Sequence, residues 1–323
     1  MGGRRRPVAT RRASDRPHPG VPGDRALGVT DRSPRARLRR LVVARAGLVV
    51  PGAYDGVSAR LVERAAFEAV YMTGYGTSAS RLGLPDLGFA GLADMVENVR
   101  QMAAAVTIPL IADADTGYGG PLSVERTVRA YETAGAAGLH LEDQVWPKRC
   151  GHLAGKETVS REEMVAKIRA AVAARRDPDL LLIARTDARA VSGFDDALIR
   201  ARAYGEAGAD VLFVEAPTTL AEVEAIPKTL ALPCLFNYVP GGRSPLPPFA
   251  RLREWGYAIV LLPAQTLFAA ARATADYLAL LRAADDARGL DDRLMSFADF
   301  NQLVGVPEML ARERSFHGAP DAG

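Results

Sequence analysis

"PLIADAD", residues 109–115, is a short apolar run that ends in two acids. A helix needs about ten residues or more at a 3.6-residue period, whereas a buried strand needs only about four to eight. The run therefore predicts a strand. Its apolar part does not alternate with polar residues, so both faces are covered, as in a parallel sheet. Seven further runs share this form: "GLVVPGA" (47–53), "AVYMTG" (69–74), "GLHLED" (138–143), "LLLIARTD" (180–187), "VLFVEA" (211–216), "PCLFNYV" (233–239) and "AIVLLPA" (258–264). Between them lie amphipathic segments such as "SVERTVRAYETAG" (123–135), "SREEMVAKIRAAVAARR" (160–176) and "DDALIRARAYGEAG" (195–208). Strands alternating with helices predict parallel βαβ units. Eight such units over about 250 residues is the size of a (β/α)8 TIM barrel, an α/β fold. A doubly wound open sheet is the competing architecture, but no G-x-G-x-x-G follows the first strand.

Outside the runs, "SPRARLRRLVVARAG" (33–47) predicts a helix capped by Ser33, with Pro34 at its first position. "ADYLALLRAADDARG" (275–289) predicts an extension of the last barrel helix, and "SFADFNQLVGVPEMLARER" (296–314) one or two more helices. One barrel domain is thus expected over 33–314, followed by a tail at 315–323. Residues 1–32 differ in kind. Residues 1–40 hold twelve arginines and three aspartates, so the remainder has an excess of six acids and the net charge of +3 describes the leading segment. Rich in Arg, Pro and Gly and without apolar period, residues 1–32 read as a disordered basic tail. An organelle-targeting or nucleic-acid arm is the alternative. No run of about 18 apolar residues predicts a membrane span, and no secretory signal is recognisable. Cys150 and Cys234 do not make a disulfide framework, so a cytoplasmic, reducing location is expected.

Six of the eight runs turn polar at their C-terminal ends. They end in Thr73, in Asp113 and Asp115, in Glu142 and Asp143, in Arg185 and Asp187, in Glu215, and in Asn237. In a parallel barrel these ends meet at one mouth, where active sites form. Asp113 and Asp115 are two apart on a strand, so both face the same way. With Glu142 from the next strand they offer a hard oxygen site. Mg²⁺ suits it, because that ion takes few protein oxygens and keeps waters; Mn²⁺ is the alternative. Helix capping and loop hydrogen bonds are the plainer use of the two aspartates.

"EDQVWPKRCGHLAGKE" (142–157) leaves the fourth strand beside these acids. Lys148, Arg149 and His152 surround Cys150 in sequence and are expected to lower its thiol pKa. Such a thiol can give and take a proton. Gly151 and Gly155 leave the loop able to close as a lid. A surface cysteine in a basic loop is the plainer reading. Cys234, inside an apolar run, reads as core packing, and His140 as a core histidine.

"GAYDGVSARL" (52–61), "TGYGTSASRLGLPD" (73–86), "DADTGYG" (113–119), "EDQ…PKRCGH" (142–152) and "ARTDA" (184–188) resemble the isocitrate lyase/phosphoenolpyruvate mutase superfamily. The likeness runs over roughly residues 35–305. It implies a barrel whose eighth helix is swapped between subunits, hence a homodimer or homotetramer with a partner for "ATADYLALLRAADD" (273–286). By motif, Asp115 matches the direct Mg²⁺ ligand, and Asp113, Glu142 and Asp86 its outer shell through water. Thr73, Gly74 and Tyr75 match the cradle of a 2-oxo acid carboxylate. Arg185 matches the arginine at the developing oxyanion, and Cys150 the acid of the lyase branch. Glu215 and Asn237 match the second carboxylate's site, joined by Gly151 and His152 from the lid.

The resemblance implies Mg²⁺-dependent retro-aldol cleavage of a 2-hydroxy di- or tricarboxylic acid. Methylisocitrate lyases place an arginine shortly after the eighth strand's proline; here Pro263 is followed by "AQTLFAAARA", with Phe268 near that place. "FNYVPGGRSP" (236–245) resembles instead the dimethylmalate lyase and carboxyvinyl-carboxyphosphonate phosphorylmutase branch, with Pro240 in place of a glutamate. Arg243 is the candidate for the missing cation. The expectation is a lyase for a substituted malate, with methylisocitrate less favoured. P–C bond chemistry and oxaloacetate decarboxylation or hydrolysis are the alternatives. The expected partner is a small carboxylic acid, with neither nucleic acid nor membrane.

Overall fold

Each apolar run forms one strand: β1 (Leu48–Ala53), β2 (Val70–Met72), β3 (Leu110–Asp113), β4 (Gly138–Glu142), β5 (Leu181–Thr186), β6 (Val211–Val214), β7 (Cys234–Asn237) and β8 (Ile259–Leu262). The structure is a computed structural model and describes residues 33–284 and 286–317. The basic segment 1–32 and the end of the tail, 318–323, lie outside the described residues. Every strand pairs in parallel with its neighbour in chain order. β1 also pairs with β8, which closes the sheet into an eight-stranded barrel.

The helices are α1 (Pro34–Val43), α2 (Gly56–Arg64), α3 (Gly74–Thr77), α4 (Leu92–Ala105), α5 (Pro121–Ala134), α6 (Arg161–Ala174), α7 (Phe194–Glu206), α8 (Leu220–Thr229), α9 (Phe249–Trp255), α10 (Gln265–Ala284), α11 (Phe297–Leu303) and α12 (Val306–Phe316). α1 begins as its sequence predicts: the Ser33 hydroxyl accepts from Ala36 N at 3.1 Å, with Pro34 next. α10 stops at Ala284, short of the expected 289. Just beyond, the Asp286 carboxylate accepts Arg288 N at 3.0 Å, a local turn that competes with helical hydrogen bonding. α12 runs to Phe316, two residues past the expected end of the folded domain.

Two apolar layers follow from the two buried faces of each strand. Inside the barrel pack Val50, Tyr71, Ile111, Ile183, Phe213 and Leu261. α1 adds Leu38 and Val42 to this layer, and Leu38 meets Gly138 at the start of β4, so the helix covers the N-terminal end of the barrel. Burying one such leucine stabilises the fold by about 1.5–3 kcal/mol. Outside the strands, Val99, Val128, Ile168, Leu198 and Val223 carry the helices onto the sheet. With one end plugged and the sides filled, the C-terminal mouth is where the polar strand ends meet.

Candidate active site

The barrel register sets the site. It pairs Asp113 with His140, Glu142 with Arg185, and Arg185 with Phe213. A cavity of about 360 Å³ opens at this mouth. Of the residues named from sequence, Thr73, Tyr75, Asp86, Asp113, Glu142, Lys148, Arg149, Cys150, Gly151, His152, Arg185, Glu215 and Asn237 line it. Gly74, Asp115 and Arg243 are not among its walls.

Thr73 caps α3, its hydroxyl accepting from Gly76 N at 3.2 Å. Gly74 N donates to Asp113 Oδ2 at 3.1 Å, so this amide is already engaged rather than offered to a substrate carboxylate. A Cβ on Gly74 would stand 2.5 Å from that same oxygen, which is why only glycine fits. Tyr75 meets Phe268 edge to face at 6.0 Å.

The acids gather by a different route from the one the strand period predicts. β3 ends at Asp113, and Asp115 lies beyond it with φ 47°, a left-handed conformation uncommon for a side-chain-bearing residue. Its amide donates to Asp113 Oδ1 at 3.0 Å, and Glu142 N donates to its carbonyl at 2.9 Å. A local turn, not strand alternation, holds the pair. Tyr118 Oη donates to Asp115 Oδ2 at 3.3 Å. His140 is a core histidine, 2.6 Å from Tyr71 Oη and 3.4 Å from Asp113 Oδ1.

Lys148 does not face Cys150. Its ammonium is buried between Asp86 Oδ1 at 2.6 Å and Asp115 Oδ1 at 2.5 Å. Burial alone would lower the Lys148 pKa, but Asp115 and Asp86 hold it well above its usual range. Burial also pushes Asp115 up to about 7, with Asp113 and Asp86 adding and Lys148 opposing. For Asp113 burial is outweighed by His140, Lys148 and the Asp115 amide, which bring it down to about 2. Glu142 is raised well above its usual range, first by burial.

The donor set fits a hard divalent cation. Glu142 Oε1 is buried without a hydrogen-bond donor, and Asp115 Oδ1 meets only the Lys148 ammonium. Among the described residues no three His, Cys, Asp or Glu side chains close tightly enough to enclose an ion by themselves.

Arg185, at the end of β5, is clasped by carboxylates. Its Nε lies 2.8 Å from Asp187 Oδ2 and 3.3 Å from Glu142 Oε2, and its Nη2 3.2 Å from Glu215 Oε2. The guanidinium sits 5.0 Å above the Phe213 ring. Asn237 Nδ2 donates to Glu215 Oε2 at 3.0 Å.

The basic neighbours of Cys150 do not lower its pKa; burial raises it. Each base is engaged elsewhere. Lys148 serves the acids, Arg149 Nη1 donates to the Ala154 carbonyl at 3.2 Å, and His152 stands 3.4 Å from Glu215. Sequence adjacency misled because each base is held by a carboxylate or carbonyl partner of its own. Arg243 is not brought into the cavity. It is exposed, and its Nε donates to the His152 carbonyl at 3.2 Å, outside the cavity. Cys234 is buried core, its thiol pushed up to about 12.

Sequence reading assigned no role to three contributors, although it placed Asp187 at the mouth. Asp187 accepts from one edge of the Arg185 guanidinium, from Nε at 2.8 Å and Nη2 at 3.1 Å. Buried Lys156 lies 2.9 Å from Asp187. Gln144 donates to Arg149 O and accepts from Arg149 N, each at 2.9 Å. Asp187 sat in the "ARTDA" motif and Gln144 in "EDQ". Lys156 carried no signal beyond its place in a glycine-rich loop.

The chain as a whole is similar to known proteins. A family profile described as phosphoenolpyruvate phosphomutase matches residues 38–282. The chain is 45% identical over 281 residues to the 2,3-dimethylmalate lyase of Eubacterium barkeri, covering 87% of this chain and 97% of that protein. A solved oxaloacetate acetylhydrolase, in complex with the inhibitor 3,3-difluorooxalacetate, superposes with a TM-score of 0.85 at 40% identity, covering 89% of this chain and 98% of that one. A phosphonopyruvate hydrolase complexed with oxalate and Mg++ superposes with a TM-score of 0.80 at 32% identity, over 87% and 98% of the two chains. With a profile match over most of its length and these relatives, the chain is an enzyme of the phosphoenolpyruvate mutase/isocitrate lyase superfamily.

Proposed function

We propose that the chain is a Mg²⁺-dependent carbon–carbon lyase. It cleaves a 2-hydroxy di- or tricarboxylic acid of the substituted malate type into a 2-oxo acid and a carboxylate. The observation that carries this is one cavity walled by Cys150, Arg185 and the acids Asp113, Glu142 and Asp86. The 45% identity to a dimethylmalate lyase supports the substrate class.

Asp115 would hold the ion, with Asp113, Glu142 and Asp86 reaching it through water. Bound there, Mg²⁺ supplies a Lewis acid for the substrate's hydroxyl and carboxylate oxygens. Arg185 stabilises negative charge on the C2 oxygen. The C2–C3 bond breaks as the hydroxyl proton passes to solvent; the C2–C3 bonding pair goes to C3, and C2 becomes a carbonyl. Cys150 Sγ–H then donates its proton to C3. The thiolate regains a proton, so none is consumed overall. Burial raises the thiol pKa where the sequence led to the expectation of a lowered one, and a thiol that stays protonated suits the role of acid. Thr73 and Tyr75 flank the 2-oxo acid end, and Glu215, Asn237 and His152 the distal end.

A second reading is hydrolysis of oxaloacetate, favoured by the 0.85 TM-score to an oxaloacetate acetylhydrolase. A substrate panel with Mg²⁺ separates the two: 2,3-dimethylmalate, citramalate, methylisocitrate, isocitrate, oxaloacetate and phosphonopyruvate, with products followed by coupled assay. Turnover of oxaloacetate alone, with acetate and oxalate as products, would overturn the lyase reading. Cys150→Ser is expected to abolish cleavage while 2-oxo acid binding persists.

Assembly belongs to the same reading. Phe297 is 84% exposed, and Phe268, Leu278, Phe300, Met309 and Leu310 are exposed along α10 to α12. Such a surface supports a homodimer or homotetramer in which α10 is exchanged. No described helix is long and apolar enough to cross a membrane. Both cysteines are free, in keeping with a cytoplasmic enzyme.

A further inference from the structure

The loop that carries Cys150 leaves and rejoins the barrel through a narrow neck. Gln144 and Thr158 form an antiparallel bridge, Val145 N donates to Glu157 O at 2.9 Å, and Val159 N donates to Asp143 O at 2.8 Å. Beyond the neck, the residues on either side of Cys150 are each held by a buried side chain. Gln144 takes both backbone groups of Arg149. Lys156 Nζ donates to the Gly151 carbonyl and, at 2.9 Å, to Asp187 Oδ1. The Lys156 and Asp187 side chains are 1% and 0% exposed. Asp187 belongs to the barrel, where it also grips Arg185.

We propose that Lys156 is the latch of the Cys150 loop, a positioning residue that seats the loop on Asp187 and ties the thiol to Arg185. The loop supplies the ammonium and the barrel supplies the carboxylate. Opening the loop must pull Lys156 out of a buried pair and release the Gly151 carbonyl in the same movement. Closing brings a second cation to Asp187, the carboxylate that also grips Arg185. Lys156 does not line the cavity, so it acts through Gly151 and Asp187 and not on the substrate.

This inference rests on the reading of Cys150 as the acid, and its test needs no substrate. In the full-length enzyme, iodoacetamide alkylation of Cys150 is measured by peptide mass, with buried Cys234 as the internal unreactive reference. Lys156→Met is expected to speed Cys150 alkylation by about tenfold or more, because the loop opens at lower cost. Loss of a nearby cation would by itself slow the reaction by disfavouring the thiolate, so a faster rate reports exposure. Asp187→Asn removes the anchor from the barrel side and is expected to act in the same direction, which keeps the test open if the methionine variant does not fold. A core variant, Val223→Ala, is expected to leave the rate unchanged. Alkylation no faster than wild type in the latch variants, or equally accelerated in the core variant, overturns the latch. Failure of the lyase reading shows separately, as turnover that survives Cys150→Ser.

Discussion

Lys148 Nζ stands 2.5 Å from Asp115 Oδ1 and 2.6 Å from Asp86 Oδ1, so the acid cluster contains its own cation. All three groups are buried. Removing one partner of such a pair leaves an uncompensated charge, which costs about 3–5 kcal/mol. Lys148→Met is therefore expected to lose stability of that order in urea unfolding with EDTA. On the proposed reading Mg²⁺ binds the folded acids alone, so adding it should recover more stability in the variant than it adds to wild type. A variant whose unfolding ignores Mg²⁺ would remove the ion from this cluster.

The raised Cys150 pKa gives a signed pH prediction. Burial, the largest cause, favours the neutral thiol, and the His152 amide only partly opposes it. An acid with a raised pKa stays protonated through neutral pH and is lost only above the ordinary thiol range. Cleavage is expected to hold at least to about pH 8.5 and decline beyond it. Iodoacetamide alkylation of Cys150 should be slow at pH 7 and rise over the same alkaline range. Rapid labelling at pH 6 would mean an activated thiolate, and the acid role would fail.

The barrel and the mouth were legible because they rest on short-range pattern. β3 and β5 announce themselves by unbroken apolar runs, and Glu142 and Arg185 by ending theirs. Loop contacts were not legible, since nothing in "PKRCGH" says where a long flexible cation turns. Lys148 is two residues from Cys150, yet it serves Asp86, 62 positions away. The Asp113–Asp115 relationship was read from strand alternation, whereas a left-handed residue stands at the second position and a local turn links the two. Lys156 was invisible because its partner, Asp187, arrives from another strand end.

Arg185 binds Asp187 through two different nitrogens while Nη2 also reaches Glu215. Lysine keeps the charge but not the fork. Arg185→Lys is thus expected to keep the fold and lower kcat by about 10²–10³-fold, the range seen when one oxyanion donor is lost. Steady-state kinetics on the substrate identified by the panel check this. A loss confined to KM would assign Arg185 to ground-state binding instead.

Gly151 tests closure by size alone. Its backbone needs no left-handed conformation, so alanine is tolerated locally. With the loop seated, an added Cβ would fall 2.7 Å from Glu215 Cγ and closer still to Arg185 Nη2. Neither neighbour can yield easily, because Glu215 is bonded to Asn237 and Arg185 to Asp187. Gly151→Ala is therefore expected to hold the loop ajar. The unfolding midpoint should stay near that of wild type, Cys150 alkylation should quicken, and kcat should fall by about 10²-fold as the acid is displaced from its carbon. Full kcat in this variant would mean that the thiol reaches the substrate by another loop conformation than the one that packs Gly151 against Arg185 and Glu215.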